Sequence, residues 1–296
     1  MKDKISAFKS YLEKSTELSQ STINFYLIDV RQFADYLSAN GFDSFSDITN
    51  ALLLAYCAKL QSRGMSKASI LRKLSSVKKF YSFLNVKFNA GVDITSFIDL
   101  PKHKKSLPKF ISVDDVDRLF DALDLETLKG RRDRAMLELL YATGIKVTEL
   151  VELKLLDVSI ERMELTCPQR EGFNTLPFPK QTKKALKDYM ENVRPVLVKD
   201  KPIDLLFVNM KGSGMTRQGF WKIVKELSEK AGIEEEISPN TLRNSFAVHL
   251  INNGTAVMDI KDMMGHSDIS TTQAYYEAAK KENLRRSVTK NHPRSG

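Results

Sequence analysis

The stretch Leu100–Phe110 (LPKHKKSLPKF) restricts the folds open to this chain more than any other. Proline fixes φ and removes a backbone donor, so Pro101 and Pro108 deny the segment a helix. Lys102, Lys104, Lys105 and Lys109 meet no acid within it. An extended basic connector over residues 100–110 therefore divides the 296 residues into two parts, 1–99 and 111–296. Each part is long enough to bury a core of its own.

The first part reads as helix throughout. Phe8, Tyr11 and Leu12 mark one apolar stripe, and Ile23, Leu27, Val30, Phe33, Ala34 and Leu37 a second, closed by Asn40-Gly41. Ser46-Asp47 and Thr49 offer caps for a third helix through Leu60, and a fourth runs from Ser66 to about Leu84. Charge here is one-sided: no Asp or Glu falls between Ile48 and Val92. Solvated faces mix signs, so a single-sign stretch points to phosphate. Lys67, Arg72, Lys73, Lys78 and Lys79, with Lys102, Lys104 and Lys105 of the connector, are the candidate contacts. The whole chain carries 46 Lys and Arg against 37 Asp and Glu, a net +9 that also favours a polyanionic partner.

Other classes fit poorly. Cys57 and Cys167 form no disulfide framework, as expected of a reducing, cytoplasmic protein. The longest apolar run, Ala51–Ala58, is too short for a bilayer, so no membrane role is expected. No Gly-rich phosphate loop or carboxylate cluster at metal spacing is present, and neither cofactor nor metal is expected.

The second part is mainly helical with a small hairpin. Ser112-Val-Asp-Asp115 is a capping-box start. A helix over Arg131–Tyr141 ends at Thr143-Gly144, and Lys146 and Glu149 open the next. Val158–Phe178 alternates as a small sheet around Gly172. Helices over Gln181–Val193 and Thr216–Ala231 follow, the latter with Trp221 expected in the core. Ser238–Ala278 then reads as three short helical pieces carrying Arg243, His266 and Tyr275. Asn252-Asn253-Gly254 and Gly265 separate them, and Ser270 is the expected cap of the third. Asn240 and Arg243 share the first turn of the first piece, where the helix start favours an anion. A phenol, a guanidinium and an imidazole at one phosphate have complementary tasks: attack, charge stabilisation and proton handling.

ATGIKVTEL, LFVNMKGSGMTRQGFWKIVKE, NTLRNSFAVHL and MMGHSDISTTQAYY resemble the tyrosine recombinase (phage integrase) family, and within it the bacterial Xer recombinases. The resemblance implies a mainly α fold with a small β-sheet. A helical core-binding (SAM-like) domain, 1–99, would join an α+β catalytic domain, 111–296, in a C-shaped clamp on double-stranded DNA. The tail from Glu277 would contact another protomer, giving a dimer or tetramer of like or unlike subunits. Tyr275 would be the nucleophile, with Arg243 and His266 beside it and Glu149 in support.

Four positions depart from the family's pattern. Lys146 stands in place of an arginine, losing its two-pronged grip on phosphate. Asn240 stands in place of a histidine and carries no exchangeable proton charge. Gln169, or Arg170 beside it, falls near the hairpin lysine that protonates the leaving 5′ oxygen, and neither is a usable acid. Asn244 also replaces a common histidine, with less consequence expected. Two roles stay open on the sequence: a recombinase of reduced activity, or a DNA-binding partner or regulator of an active one.

Overall fold

A computed structural model describes the chain except residues 15–17, 19, 92–106, 171, 267 and 292–296. It divides into two compact units, Met1–Lys105 and Ser106–Gly296. Of the connector's cations, Lys102, Lys104 and Lys105 lie outside the described residues.

The first unit holds α1 (Lys2–Glu13), α2 (Gln20–Ala39), α3 (Asn50–Ser62) and α4 (Lys67–Phe88). Local chemistry starts the last two: Thr49 Oγ1 accepts the Leu52 N–H at 3.2 Å, and Ser66 Oγ that of Ser69 at 3.2 Å. The apolar stripes of α1, α2 and α4 meet over Phe8, Phe33, Phe80 and Tyr81, all buried. Edge-on aromatic contacts fill this core; Phe8 and Phe80 have ring centroids 5.1 Å apart.

Among the candidate phosphate contacts, Lys67 and Lys79 are exposed and Lys78 is half-buried. Lys73 departs from expectation. It is 5% exposed and donates to Asp29 Oδ1 at 2.9 Å and to Gln32 Oε1 at 2.5 Å, so it faces the core and not a phosphate. Two cations of the acid-free stretch, Arg72 and Lys73, are thus paired from outside it, by Asp29 of α2. Burial raises the Asp29 pKa, but hydrogen bonds from Lys73, Ser76 and Arg72 outweigh it and hold the carboxyl below its ordinary range.

The second unit runs α5 (Val113–Asp121), α6 (Leu128–Thr143), α7 (Val147–Glu152), a three-stranded antiparallel sheet, α8 (Lys180–Asp188), α9 (Arg194–Val198), α10 (Arg217–Lys230), α11 (Pro239–Asn252), α12 (Val257–Met264) and α13 (Ile269–Asn291). The capping box at Ser112 and Asp115 forms as read. The sheet is smaller than the alternation implied: β1 (Val158–Ser159), β2 (Glu164–Thr166) and β3 (Thr175–Pro177). Leu165 pairs with Leu176, and both are buried. The helix expected over Gln181–Val193 passes through a π turn at Tyr189–Val193. There the Tyr189 hydroxyl donates to Leu206 O and accepts from Val208 N–H, each at 3.1 Å.

Three expectations for this unit fail. Trp221 is 42% exposed with Lys225 Nζ 5.7 Å from its ring, because Phe220, Ile223, Val224 and Leu227 form the buried face of α10. The third piece of the C-terminal stretch is no short helix; α13 continues to Asn291. Its first turn is capped by Asp268, whose Oδ1 accepts the Ser270 N–H at 2.9 Å, so Ser270 is not the cap. Tyr275, Ala278 and Ala279 recur at helical spacing and dock α13 against Phe246 and Val248 of α11. Among the described residues, no helix is long and apolar enough to cross a membrane.

Candidate active site

Arg243 is the centre of the site. It is 5% exposed, on a helix started by Ser238, whose Oγ accepts the Thr241 N–H at 3.1 Å. Its guanidinium donates to Gly144 O and, at 2.5 Å, to Met264 O. Gly144 is the left-handed end of α6, with φ +59°; a Cβ there would lie 2.4 Å from the Phe246 ring. Burial pulls the Arg243 pKa down to about 10, which leaves it charged at neutral pH.

His266 follows the left-handed Gly265 that ends α12. Arg243 Nη2 donates to His266 Nε2 at 3.3 Å, so that nitrogen carries a lone pair and Nδ1 carries the proton. Nδ1 then donates to Thr272 Oγ1 at 3.0 Å, a fully buried hydroxyl. Burial first, then the charges of Arg243, Lys146, Arg170 and Lys261, push the His266 pKa down to about 4. The imidazole is neutral at physiological pH.

Tyr275 lies beside it. The two rings are nearly parallel, 8° apart in plane, with centroids at 5.9 Å. The phenol is 7% exposed and donates to Asn244 Oδ1 at 2.9 Å. Asn244 Nδ2 donates in turn to Lys109 O at 2.8 Å. A carbonyl can only accept, which fixes the amide's orientation and leaves Oδ1 for the phenol. Burial raises the Tyr275 pKa, against an opposing pull from Arg243.

The remaining candidates divide. Glu149 belongs to the cluster: its carboxylate receives Arg170 Nε at 2.9 Å and Nη2 at 2.7 Å, and the Lys146 backbone N–H at 2.7 Å. Burial raises the Glu149 pKa, but the Arg170 and Lys146 hydrogen bonds outweigh it and hold it low. Lys146 itself is exposed at the start of α7, near enough for its charge to act on His266. Asn240 is exposed in the first turn of α11 and, unlike Arg243, does not turn inward. Gln169 is exposed, and its amide donates to Glu152 Oε2 at 3.0 Å.

Sequence reasoning underrated two residues and overlooked a third. Arg170, considered only as a poor acid, is a buried strut: besides Glu149 it reaches Met263 O at 2.6 Å and packs under Gly265. Asn244, discounted as a replacement, holds the phenol. Thr272 was missed, although its spacing of three from Tyr275 places both on one face of α13. His249, further along α11, bridges Tyr141 Oη at 2.7 Å and Ile111 O at 3.0 Å.

Residues 109–282 match the model of the phage integrase family, and residues 5–87 that of the phage integrase N-terminal SAM-like domain. The chain is 36% identical over 292 residues to the tyrosine recombinase XerD of Staphylococcus epidermidis, covering 98% of this chain and 99% of that one. With the XerD of Listeria monocytogenes serotype 4b it shares 37% over 283 residues, 95% of each. The fold is similar to that of the XerH site-specific recombinase solved with its palindromic difH substrate after cleavage. The TM-score is 0.75 at 19% identity, over 96% of this chain and 84% of that one.

Proposed function

Because the chain belongs to the phage integrase family of tyrosine recombinases, Xer-like in sequence, we propose that it cuts and rejoins double-stranded DNA at specific sites. The Tyr275 oxygen attacks a backbone phosphorus, forming a 3′-phosphotyrosyl bond as the P–O5′ bond breaks. The departing oxygen takes up a proton as a 5′ hydroxyl. A 5′ hydroxyl of the partner strand then reverses the step and frees the tyrosine. The covalent link conserves the energy of the broken bond, so the reaction needs no nucleotide or metal.

Carrying this reading is the convergence of Arg243, His266 and Tyr275, with the imidazole 3.3 Å from the guanidinium and stacked along the phenol. Arg243 holds the anionic oxygens. Neutral His266, its tautomer set by Thr272, is a hydrogen-bond partner or proton acceptor beside the phenol. Lys146 adds charge at the rim. Glu149, gripped by Arg170, keeps the α7 start and the hairpin loop together. Lys67 and Lys79 on the first unit hold phosphates. The exposed Leu284 and Val288 of α13 favour a dimer or tetramer built through the tail. The protein acts in the cytoplasm.

Turnover is slow in this proposal. Gln169 is turned to Glu152 and cannot protonate the leaving oxygen, a task worth ~10²–10⁴-fold in rate. The same observation favours a second reading, a DNA-binding partner of another recombinase that does not complete the cycle. A nicked duplex separates the two, because cleavage near the nick releases a short fragment and traps the intermediate. A covalent adduct on a denaturing gel, absent with Tyr275→Phe, is expected of the recombinase. Salt-sensitive binding without adduct selects the partner reading. An adduct that survives Tyr275→Phe refutes the assignment of the nucleophile.

A further inference from the structure

Arg72 was read from the sequence as one more phosphate contact, and its surroundings do not suit that task. Its Nη1 and Nη2 donate to the two oxygens of Asp29 at 2.6 and 3.1 Å. Asp29 is 1% exposed and is itself fixed by Ser76 Oγ at 2.7 Å and Lys73 Nζ at 2.9 Å. The Phe25 ring lies beside the guanidinium, its centroid 5.6 Å from Cζ. Yet the side chain is half exposed. Asp29 is shared between Arg72 and Lys73, so the cluster keeps one net positive charge, but the carboxylate holds the Arg72 guanidinium in one orientation. Hydrogen bonding to a neutral acceptor depends on geometry more than on net charge. Of five N–H donors, those not taken by Asp29 are held in a fixed plane, with little side-chain entropy left to lose.

The surface around Arg72 points the same way. Phe25 and Ile28 of α2 are 57% and 47% exposed, and Ser75 and Lys79 follow Arg72 along the open face of α4. Apolar groups suit base edges and thymine methyls, and they suit phosphates poorly. We infer that Arg72 reads a guanine in the major groove, with Asp29 as its buttress and Phe25 as its shelf, while Lys67 and Lys79 supply the sequence-blind phosphate contacts. Guanine is the base that offers two acceptors, O6 and N7, to one guanidinium. The inference rests on the DNA reading above and adds a specificity-determining residue to it.

The test selects preferred sites from a randomised duplex library with the full-length wild type, then measures binding to the selected site and its single-base variants. Arg72→Ala is expected to lose about tenfold to a hundredfold of discrimination at one guanine, with other positions unchanged. Arg72→Lys, which keeps the charge and loses the fork, is expected to lose the same preference. The salt dependence of binding stays as in wild type for Arg72→Ala, whereas Lys79→Ala lowers the slope by about one. Melting temperature and helical signal check that each variant is folded. Uniform weakening of all sites with a lowered slope makes Arg72 a phosphate contact and overturns the inference, as does an unchanged guanine preference. A wild type that selects no sequence also overturns it, and leaves the recombinase reading to the adduct assay.

Discussion

Arg72 and Arg243 occupy opposite electrostatic settings. Arg72, at the surface of the first unit, is matched by the carboxylate of Asp29. Arg243, buried in the second, has hydrogen bonds, among the described residues, to two carbonyls and an imidazole. The carboxylate nearest to it in effect, Glu149, is engaged by Arg170. Carbonyl oxygens orient a guanidinium without cancelling its charge. Among the described residues, Lys146, Arg170 and Arg243 gather around the carboxylate of Glu149, and their positive charge suits an incoming anion. The difference separates two kinds of recognition: a paired arginine is suited to shape and pattern, an unpaired one to a phosphate.

The contrast breaks most visibly on the rate of cleavage. Arg243→Ala should lower single-turnover adduct formation by ~10²–10³-fold, the usual loss on removing one preorganised anion donor. Arg72→Ala, assayed at saturating DNA, should leave that rate near wild type. Equal losses in both variants would erase the distinction.

Stability sharpens it next. Arg170→Ala removes one half of a buried pair and strands Glu149, which should cost about 3–5 kcal/mol in urea unfolding. Arg72→Ala exposes little, because Lys73 and Ser76 still satisfy Asp29, and should cost no more than about 1 kcal/mol. A Glu149 site that tolerates the loss of Arg170 would show that the strut is dispensable.

The smallest effect concerns pH. The folded-state pKa of His266, about 4, lies below the ordinary value of 6.5, so the unfolded chain binds more protons between the two. Its contribution to stability is complete above pH 6.5 and fades as pH falls toward 4. His266→Gln should therefore lose less melting temperature than wild type between pH 6.5 and 4.5. Identical curves would mean that the imidazole does not feel the surrounding cations.

The helical stripes, the capping box at Ser112 and the convergence of Arg243, His266 and Tyr275 were legible because each follows from spacing along one element or from a motif. The ion pairs were not. Asp29 and Lys73 are 44 positions apart, and nothing local in the acid-free stretch reveals that α2 supplies the missing charge. The same holds for Arg170 and Glu149, 21 apart and joined only when the hairpin folds over α7. Asn244 was readable as a neighbour of Arg243, but its grip on the phenol depends on where α13 packs. The exposed Trp221 shows the converse: α10 had enough aliphatic side chains to fill its inner face without the indole.

Gly144 ties the two kinds of information together. Its carbonyl is one of the acceptors that aim Arg243, and its positive φ combined with the crowding Phe246 ring admits no ordinary side chain. The bearing of the guanidinium is thereby entrusted to a main-chain torsion, a coordinate that drift in adjacent side chains leaves alone. Such a hinge-free pointer keeps its compass heading without drawing on Lys146 or Asn240, whose side chains are exposed.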